Sequence, residues 1–312
     1  MTQTEIPVGL PHKNPTKAYW QTPPLPIADH RTTPELPRSS KYVIVGSGIS
    51  GASIAYKLLQ EEPSASIVML EARQAASGAS GRNGGHCRAD RYSKFKSDLE
   101  KFGKEDALLL DKLEEDNVRN VGAFIKKHKI DCDLRDVETV DIFIDPVQWD
   151  EALAALKARK EEFSERLEAK FLTKYKVWDA QETKEKLLVP AGVGAVTFPA
   201  YALSPYKFVC ELLEMSIRKG MNLQTNTAVI KVAPILAPKK KWIGHTERGD
   251  IIANKVILAT NAYTAALYPP VAEFIIPTRG QVCWFEYCWE SGTEKDLWAE
   301  QWYLWALFSI ST

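Results

Sequence analysis

From Tyr42 to Val45 the chain is an unbroken apolar, largely β-branched run, and after a short glycine-bearing break apolar positions return at Ile49, Ala52, Ala55, Leu58 and Leu59. The first run has the texture of a buried strand, and the second keeps the period of a helix. Another apolar run at Ile67–Leu70 ends in Glu71, which completes a βαβ pattern. Further on, residues 104–129 carry amphipathic helical spacing, and 137–145 alternate like a strand. Residues 147–170, rich in Ala, Glu, Lys and Leu, predict a solvated helix. This middle stretch reads as a second, smaller domain.

The pattern then returns to that of the first domain. Ser204 suits an N-cap, Pro205 the first helical position and Gly220 a C-cap, which predicts one helix between them. Residues 223–232 and 254–264 predict two strands. Residues 1–40 hold eight of the eighteen prolines and predict an extended arm lying on or beside the first domain, or else a leader without structure.

Composition narrows the function classes. At 312 residues the chain has room for about two domains, and 45% hydrophobic content gives each a core. Lys plus Arg and Asp plus Glu each number 40, so no basic footprint for nucleic acid is expected. The five cysteines form no C-x-x-C pair, which argues against both a disulfide framework and a zinc site. With no signal-peptide pattern, no long apolar span and no peroxisomal C-terminal signal, a cytoplasmic location and no membrane partner are expected.

Gly46, Gly48 and Gly51 have the spacing G-x-G-x-x-G, between a predicted strand and a predicted helix. The first glycine permits a tight turn, the second a close approach of a pyrophosphate, and the third helix-to-sheet packing, while the helix N-terminus offers free N–H groups. Glu71 follows Gly51 by twenty residues, at a strand end where a carboxylate accepts hydrogen bonds from ribose hydroxyls. After Glu71 comes a small-residue loop, Gly78 to Tyr92, in place of another βα repeat, which favours FAD over NAD.

The motifs VIVGSGISGAS, MLEAR, SGASGRNGGH, LSPYKFVCELL with TNTAV, VILATNAYT and IPTRGQV together resemble the D-amino acid oxidase, glycine oxidase and sarcosine oxidase superfamily of FAD-dependent oxidoreductases, most of all the branch related to gamma-glutamylputrescine oxidase. The resemblance implies an α/β fold: a Rossmann-like three-layer FAD-binding domain from residues 41–100 and 200–276, and an incomplete α+β substrate domain from 101–199 and 277–312. It implies that Gly46, Ser47, Gly48, Ser50 and Gly51 bind pyrophosphate, with Glu71, Ala72 and Arg73 at the adenosine. Val229 is then expected at adenine, Ala259, Thr260 and Asn261 beside the cofactor, and Ser80, Gly81, Arg82, Asn83 and Gly84 along the flavin. The implied reaction oxidises a C–N bond of an amine or amino acid, with oxygen or another acceptor taking the electrons.

His86 and Arg88 are the catalytic candidates. For His86 the sequence leaves open substrate positioning, base catalysis, a covalent link to flavin, and simple support of its loop. Arg88 and Arg91 are placed to attract a substrate carboxylate, or else are solvated. Where relatives continue into a further glycine-containing segment, this sequence enters a stretch with five of its nine tryptophans, from Trp284 onward. A carboxy-terminally truncated relative, inactive and holding FAD weakly at most, is therefore the rival expectation.

Overall fold

The computed structural model of the protein describes residues 8–163, 174–236, 241–277, 280–283 and 306–309. Contacts divide it into two units, residues 1–84 with 205–312, and residues 85–204. Residues 85–100 and 200–204, expected with the nucleotide domain, thus group with the middle of the chain.

The first unit is built on a six-stranded sheet. Its strands are β1 (Ser39–Val45), β2 (Ile67–Leu70), β7 (Asn222–Gln224), β8 (Val229–Ile235), β9 (Lys241–Thr246) and β10 (Gly249–Leu258), in the order β7-β2-β1-β10-β9-β8. The first four in that order run parallel, and β9 and β8 close the far side antiparallel. Helix α1 (Ile49–Glu61) connects β1 to β2, and α6 (Pro205–Arg218) packs beside it. Val43, Val45, Val68, Leu70, Val229, Ile251 and Ala253 form one core cluster. The alternate residues Ile44, Ile67 and Met69 are equally buried, so β1 and β2 are covered on both faces, as a parallel sheet requires.

Two expected strands are corrected. Residues 223–232 divide into β7 and β8, because Asn226 adopts a left-handed conformation (φ 48°) and Thr227 N–H turns back to Glu71 O at 2.8 Å. The strand expected over 254–264 ends at Leu258, with a 3-10 turn at Asn261–Tyr263 leading into the short helix α7 (Thr264–Leu267). The tryptophan-rich stretch lies outside the described residues except at Ala306–Ser309 (β12), whose backbone pairs antiparallel with Gly280–Cys283 (β11).

The N-terminal arm is not simply extended, since it carries 3-10 turns at Tyr19–Gln21 and Pro26–Asp29, and it is pinned to this unit. Ile27 and Ala28 are buried, Arg31 forms an antiparallel bridge with Gln224, and Thr32 and Leu223 exchange two hydrogen bonds of 2.9 Å. The arm thereby shields the exposed edge of β7. The Arg248 guanidinium, on the β9–β10 turn, donates to Gln224 Oε1, Thr227 Oγ1 and Pro34 O at 2.6, 2.8 and 2.6 Å, locking turn, sheet and arm together.

The second unit carries an antiparallel sheet around β6 (Gly194–Ala202), which pairs with β4 (Arg135–Phe143) on one side and with β3 (His86–Cys87) and β5 (Lys176–Trp178) on the other. Helices α2 (Phe95–Phe102), α3 (Lys104–His128), α4 (Pro146–Phe163) and α5 (Ala180–Lys186) complete it. The helix expected over 147–170 is observed as α4, and its last residues lie outside the described region. It is not simply solvated: Ala152, Ala155, Arg159 and Phe163 are buried. Among the described residues no helix is long and apolar enough to cross a membrane.

Arg159, 5% exposed, donates from Nε and Nη2 to Asp111 at 2.9–3.1 Å and from Nη2 to Glu115, both carboxylates being 3% exposed. Removing one partner of such a pair leaves uncompensated buried charge. Arg159→Met is therefore expected to lower unfolding free energy by about 3–5 kcal/mol, read from urea unfolding followed by far-ultraviolet circular dichroism.

Candidate functional site

The strand order reverses between β1 and β10, and the C-terminal ends of those two strands lie side by side: Ala259 N–H donates to Val45 O at 2.8 Å. In open α/β sheets this switch point is where ligands bind. The chain leaves β1 through Gly46, whose φ of +103° and 2.5 Å from a hypothetical Cβ to Ala259 O exclude any side chain. At Gly51 a Cβ would lie 2.0 Å from Gly46 O, so α1 reaches its place on the sheet only without one. At Gly48 the sole neighbour within 4 Å of such a Cβ is Ser80 Oγ, at 3.2 Å. The fold itself leaves a small cradle there.

That cradle is at the amino end of α1. Ile49 N–H donates to Ser80 Oγ at 2.8 Å. Ser50 and Gly51 follow in the first turn, where helix N–H groups have no carbonyl inside the helix to meet, and Ser50 is exposed. The end therefore carries the positive pole of the helix toward whatever occupies the cradle.

Glu71, at the end of β2, is buried, and its carboxylate is oriented by three donors. Ser47 N–H and Oγ–H donate to Oε2 at 3.0 and 2.7 Å, and Arg73 N–H donates to Oε1 at 3.0 Å. Ser47 Oγ also accepts from Ala76 N–H at 3.0 Å, so one hydroxyl fixes both the carboxylate and the loop after it. Three of the four acceptor positions of the carboxylate are used, leaving one on Oε1.

The loop after Glu71 brings two cations together. Arg82 donates from Nε to Ser77 O at 3.0 Å and from its terminal nitrogens to Thr16 Oγ1 and Thr16 O at 3.1 and 2.6 Å. Burial, and then the neighbouring charge of Arg73, depress its pKa. Asn83 donates to Ala79 O and Ser80 O, both at 3.1 Å, which tightens the loop into a turn. Buried Arg73 Nε and Ser77 Oγ have no hydrogen-bond partner among the described residues. Buried polar atoms are ordinarily satisfied, and an unsatisfied pair beside a cationic cluster fits an absent anionic ligand. Ala72, Gly81 and Gly84 belong to the same loop; Val229 is buried at the start of β8. Ala259, Thr260 and Asn261 follow β10, where Thr260 and Thr264 share a 3.0 Å hydroxyl contact and Asn261 O accepts from Thr264 Oγ1. All the expected cofactor residues thus fall in the first unit, and those of the glycine turn, Glu71 and the Ser80 loop are brought together.

The expected catalytic residues are in the second unit. His86 and Cys87 form β3, opposite Ala202 and Tyr201. His86 is exposed as a residue, yet desolvation of its ring and then the charge of Arg88 lower its pKa below the ordinary 6.5. Burial raises the Cys87 thiol, so it is not an activated nucleophile. Arg88 is largely engaged: its terminal nitrogens donate to Thr139 Oγ1 and Asp141 Oδ2 at 3.1 and 2.6 Å, and the guanidinium lies 4.8 Å from the Phe198 ring centre. Although burial opposes its charge, the Asp141 contact outweighs that and raises the pKa. Arg91 is paired with Asp98 through Nε and Nη2 at 2.9–3.1 Å.

Sequence reasoning missed part of the first-unit site. Trp20 Nε1 donates to Asn83 O at 2.7 Å, and Gln21 Nε2 lies 3.1 Å from a Cβ built on Gly81. The aromatic pair in the YWQ segment, isolated within the proline-rich arm, was the available signal.

Comparisons with known proteins identify the family and the fold. The gamma-glutamylputrescine oxidoreductase of Escherichia coli K12 is 27% identical over 245 residues, covering 77% of this chain and 53% of its own length. The structure of the L-amino acid deaminase from Proteus vulgaris superposes with a TM-score of 0.60 at 20% identity, over 80% of this chain and 54% of that one. The glycine oxidase from Geobacillus kaustophilus gives 0.55 at 18% identity, over 79% and 61%. This chain therefore spans little more than half the length of these proteins, and the two structural likenesses show the shared fold. The family model described as FAD dependent oxidoreductase (DAO) matches residues 41–306, and the chain belongs to that family.

Proposed function

We propose that the chain binds FAD at the joined ends of β1 and β10 and serves an oxidoreductase that acts on the C–N bond of an amine or amino acid. The observation that carries the proposal is the glycine turn at the amino end of α1, where Gly46 and Gly51 are enforced by backbone contact while a Cβ on Gly48 would meet only the Ser80 hydroxyl, at 3.2 Å. In this reading Gly46, Ser47, Gly48, Ser50 and Gly51 hold the pyrophosphate, and the remaining acceptor position of Glu71 takes a ribose hydroxyl. Ala72, Arg73 and Val229 serve the adenosine. Ala259, Thr260, Asn261 and the loop from Ser80 to Gly84 serve the rest of the cofactor. When bound, FAD supplies the acceptor for the hydride from the substrate carbon bearing nitrogen, the product being an imine that water hydrolyses, with oxygen as the final electron acceptor.

The chain's own contribution is placement and charge. The α1 terminus and the paired Arg73 and Arg82 favour a diphosphate, and Glu71 disfavours a phosphorylated ribose. His86, with its lowered pKa, is neutral at pH 7, one ring nitrogen being a donor and the other an acceptor. Arg88, committed to Asp141 and Thr139, holds its strand and charge in place.

The purified chain is expected to show flavin absorbance released into the supernatant by acid, with reduction by a subset of amines under anaerobic conditions. Flavin retained in the pellet would indicate a covalent link. Flavin binding without reduction would support the cofactor site and leave the amine reaction unsupported, while a colourless protein unable to take up FAD would overturn the proposal.

Gly48→Ala is expected to weaken FAD binding at least tenfold with a smaller loss of apoprotein melting than Gly51→Ala, since it meets only the Ser80 hydroxyl that the Ile49 N–H holds at 2.8 Å. Gly51→Ala, meeting a backbone carbonyl, is expected to cost about 1–3 kcal/mol or more and to lower Tm by roughly 2 °C or more. Flavin fluorescence titration and thermal denaturation of the apoproteins separate the two.

His86 gives a pH-dependent signature. Because its folded pKa lies below its unfolded value near 6.5, the unfolded chain takes up the proton first, and this residue's effect on stability is lost only as pH falls through 6.5 toward the lower folded value. Its imidazole signal in a proton NMR titration is expected to have a midpoint below 6.5, and Arg88→Met is expected to move that midpoint upward.

A further inference from the structure

Residues Thr16 to Thr22 of the N-terminal arm contact the loop that the family resemblance assigns to the flavin, at more than one point. Arg82 reaches Thr16 twice, at 3.1 and 2.6 Å, and Trp20 Nε1 donates to Asn83 O at 2.7 Å. The segment is itself a built turn, with Gln21 N–H and Thr22 Oγ1 both donating to Ala18 O at 3.2 and 2.9 Å. Beyond it, Leu25 N–H donates to Tyr206 Oη at 3.2 Å, and burial pushes that phenol pKa up to about 12, so it remains protonated. The arm therefore approaches the loop from a fixed base.

Gln21 is the residue this arrangement does not explain. Its Nε2 is buried without a hydrogen-bond partner, and it lies against Gly81. Among the described residues of the first unit the other buried side-chain atoms in that condition are Arg73 Nε and Ser77 Oγ, both on the loop that leads from Glu71 to Gly81. Leaving an amide donor buried and unpaired is costly in the free protein, and replacing it with an apolar group of similar shape removes that cost. Three donors stranded around one glycine-rich loop fit a ligand that accepts from all of them.

We infer that Gln21 is a ligand of the bound dinucleotide and that the Thr16–Thr22 segment is part of the cofactor site, with Trp20 and Thr16 as positioning residues for the loop that carries Asn83 and Arg82. The inference rests on the FAD reading above. Gln21 donates to an acceptor atom of the cofactor, and the arm covers it.

The test is FAD titration of the full-length apoprotein, by quenching of flavin fluorescence, beside thermal melting of the same samples without FAD. For Gln21→Met the expected result is FAD binding weakened about threefold to tenfold, the loss of one neutral hydrogen bond, with apoprotein melting unchanged or raised. A structural role for Gln21 would give the opposite pattern: lower melting and unchanged affinity. Unchanged affinity at any melting temperature overturns the inference.

A readout on the wild-type chain covers the case of a variant that does not fold. Lys17 is exposed within the segment, and FAD is expected to slow tryptic cleavage after it severalfold. Cleavage at an unaltered rate in saturating FAD overturns the covering role. Should the wild-type chain fail to bind FAD at all, the FAD reading itself fails, which these variants do not decide.

Discussion

Two carbonyl oxygens, one at the end of β1 and one at the end of β10, set the geometry on which the rest of the first unit depends. Gly46 O lies where a side chain on residue 51 would go, and Ala259 O lies where one on residue 46 would go. Because both positions are bare, β1, β10 and the first turn of α1 meet within backbone contact. The helix amino end is then aimed across the strand ends, and its free N–H groups face the switch point of the sheet. A methyl group at either position would push α1 away from β10 and turn that end elsewhere. The ligand site is a consequence of how tightly the strand and helix join.

Charge is arranged around that join in a definite order. The buried Glu71 carboxylate is held by Ser47 from the glycine turn and by Arg73 N–H from the loop. A hydrogen bond to a charged group is worth about 1.5–3 kcal/mol, so these contacts offset the desolvation of the carboxylate while fixing where its remaining acceptor points. The cations Arg73 and Arg82 follow on the next segment, close enough for one to depress the pKa of the other. A negative group in one place and two positive groups beside it suit a ligand with hydroxyls at one point and phosphates at another. The arm bears on the same arrangement, since Thr16 neutralises none of the Arg82 charge yet holds its direction.

Much of this was legible in the sequence because it is local. The strand, glycine turn, helix, second strand and Glu71 lie within thirty residues, and each has a spacing rule of its own. Elements that depend on distant partners were not legible. Strand β6 contains Pro199, which argues against an inner strand, yet it pairs over nine residues with β4. The break at Asn226 is set by Thr227 turning to Glu71, a contact across more than 150 positions. Gln21, Trp20 and Arg248 were invisible for the same reason: their roles are defined by Gly81, Asn83 and Gln224, none of which is near them in the chain.

The glycines of the two loops show why a motif and its structural cause have to be separated. A glycine-rich stretch reads as a place where a ligand approaches backbone, and SGASGRNGG has that texture. At Gly81, however, an added Cβ would lie 2.7 Å from Ala76 O and 3.1 Å from Gln21 Nε2, so the protein's own packing already requires glycine there. Gly46 and Gly51 are required in the same manner. Gly48 differs, for nothing but one rotatable hydroxyl approaches its missing side chain. Where the fold alone explains a glycine, the glycine says little about a ligand. Where it does not, the glycine is the better evidence, and Gly48, which meets only the Ser80 hydroxyl at the amino end of α1, is the glycine of the turn that the backbone does not by itself require.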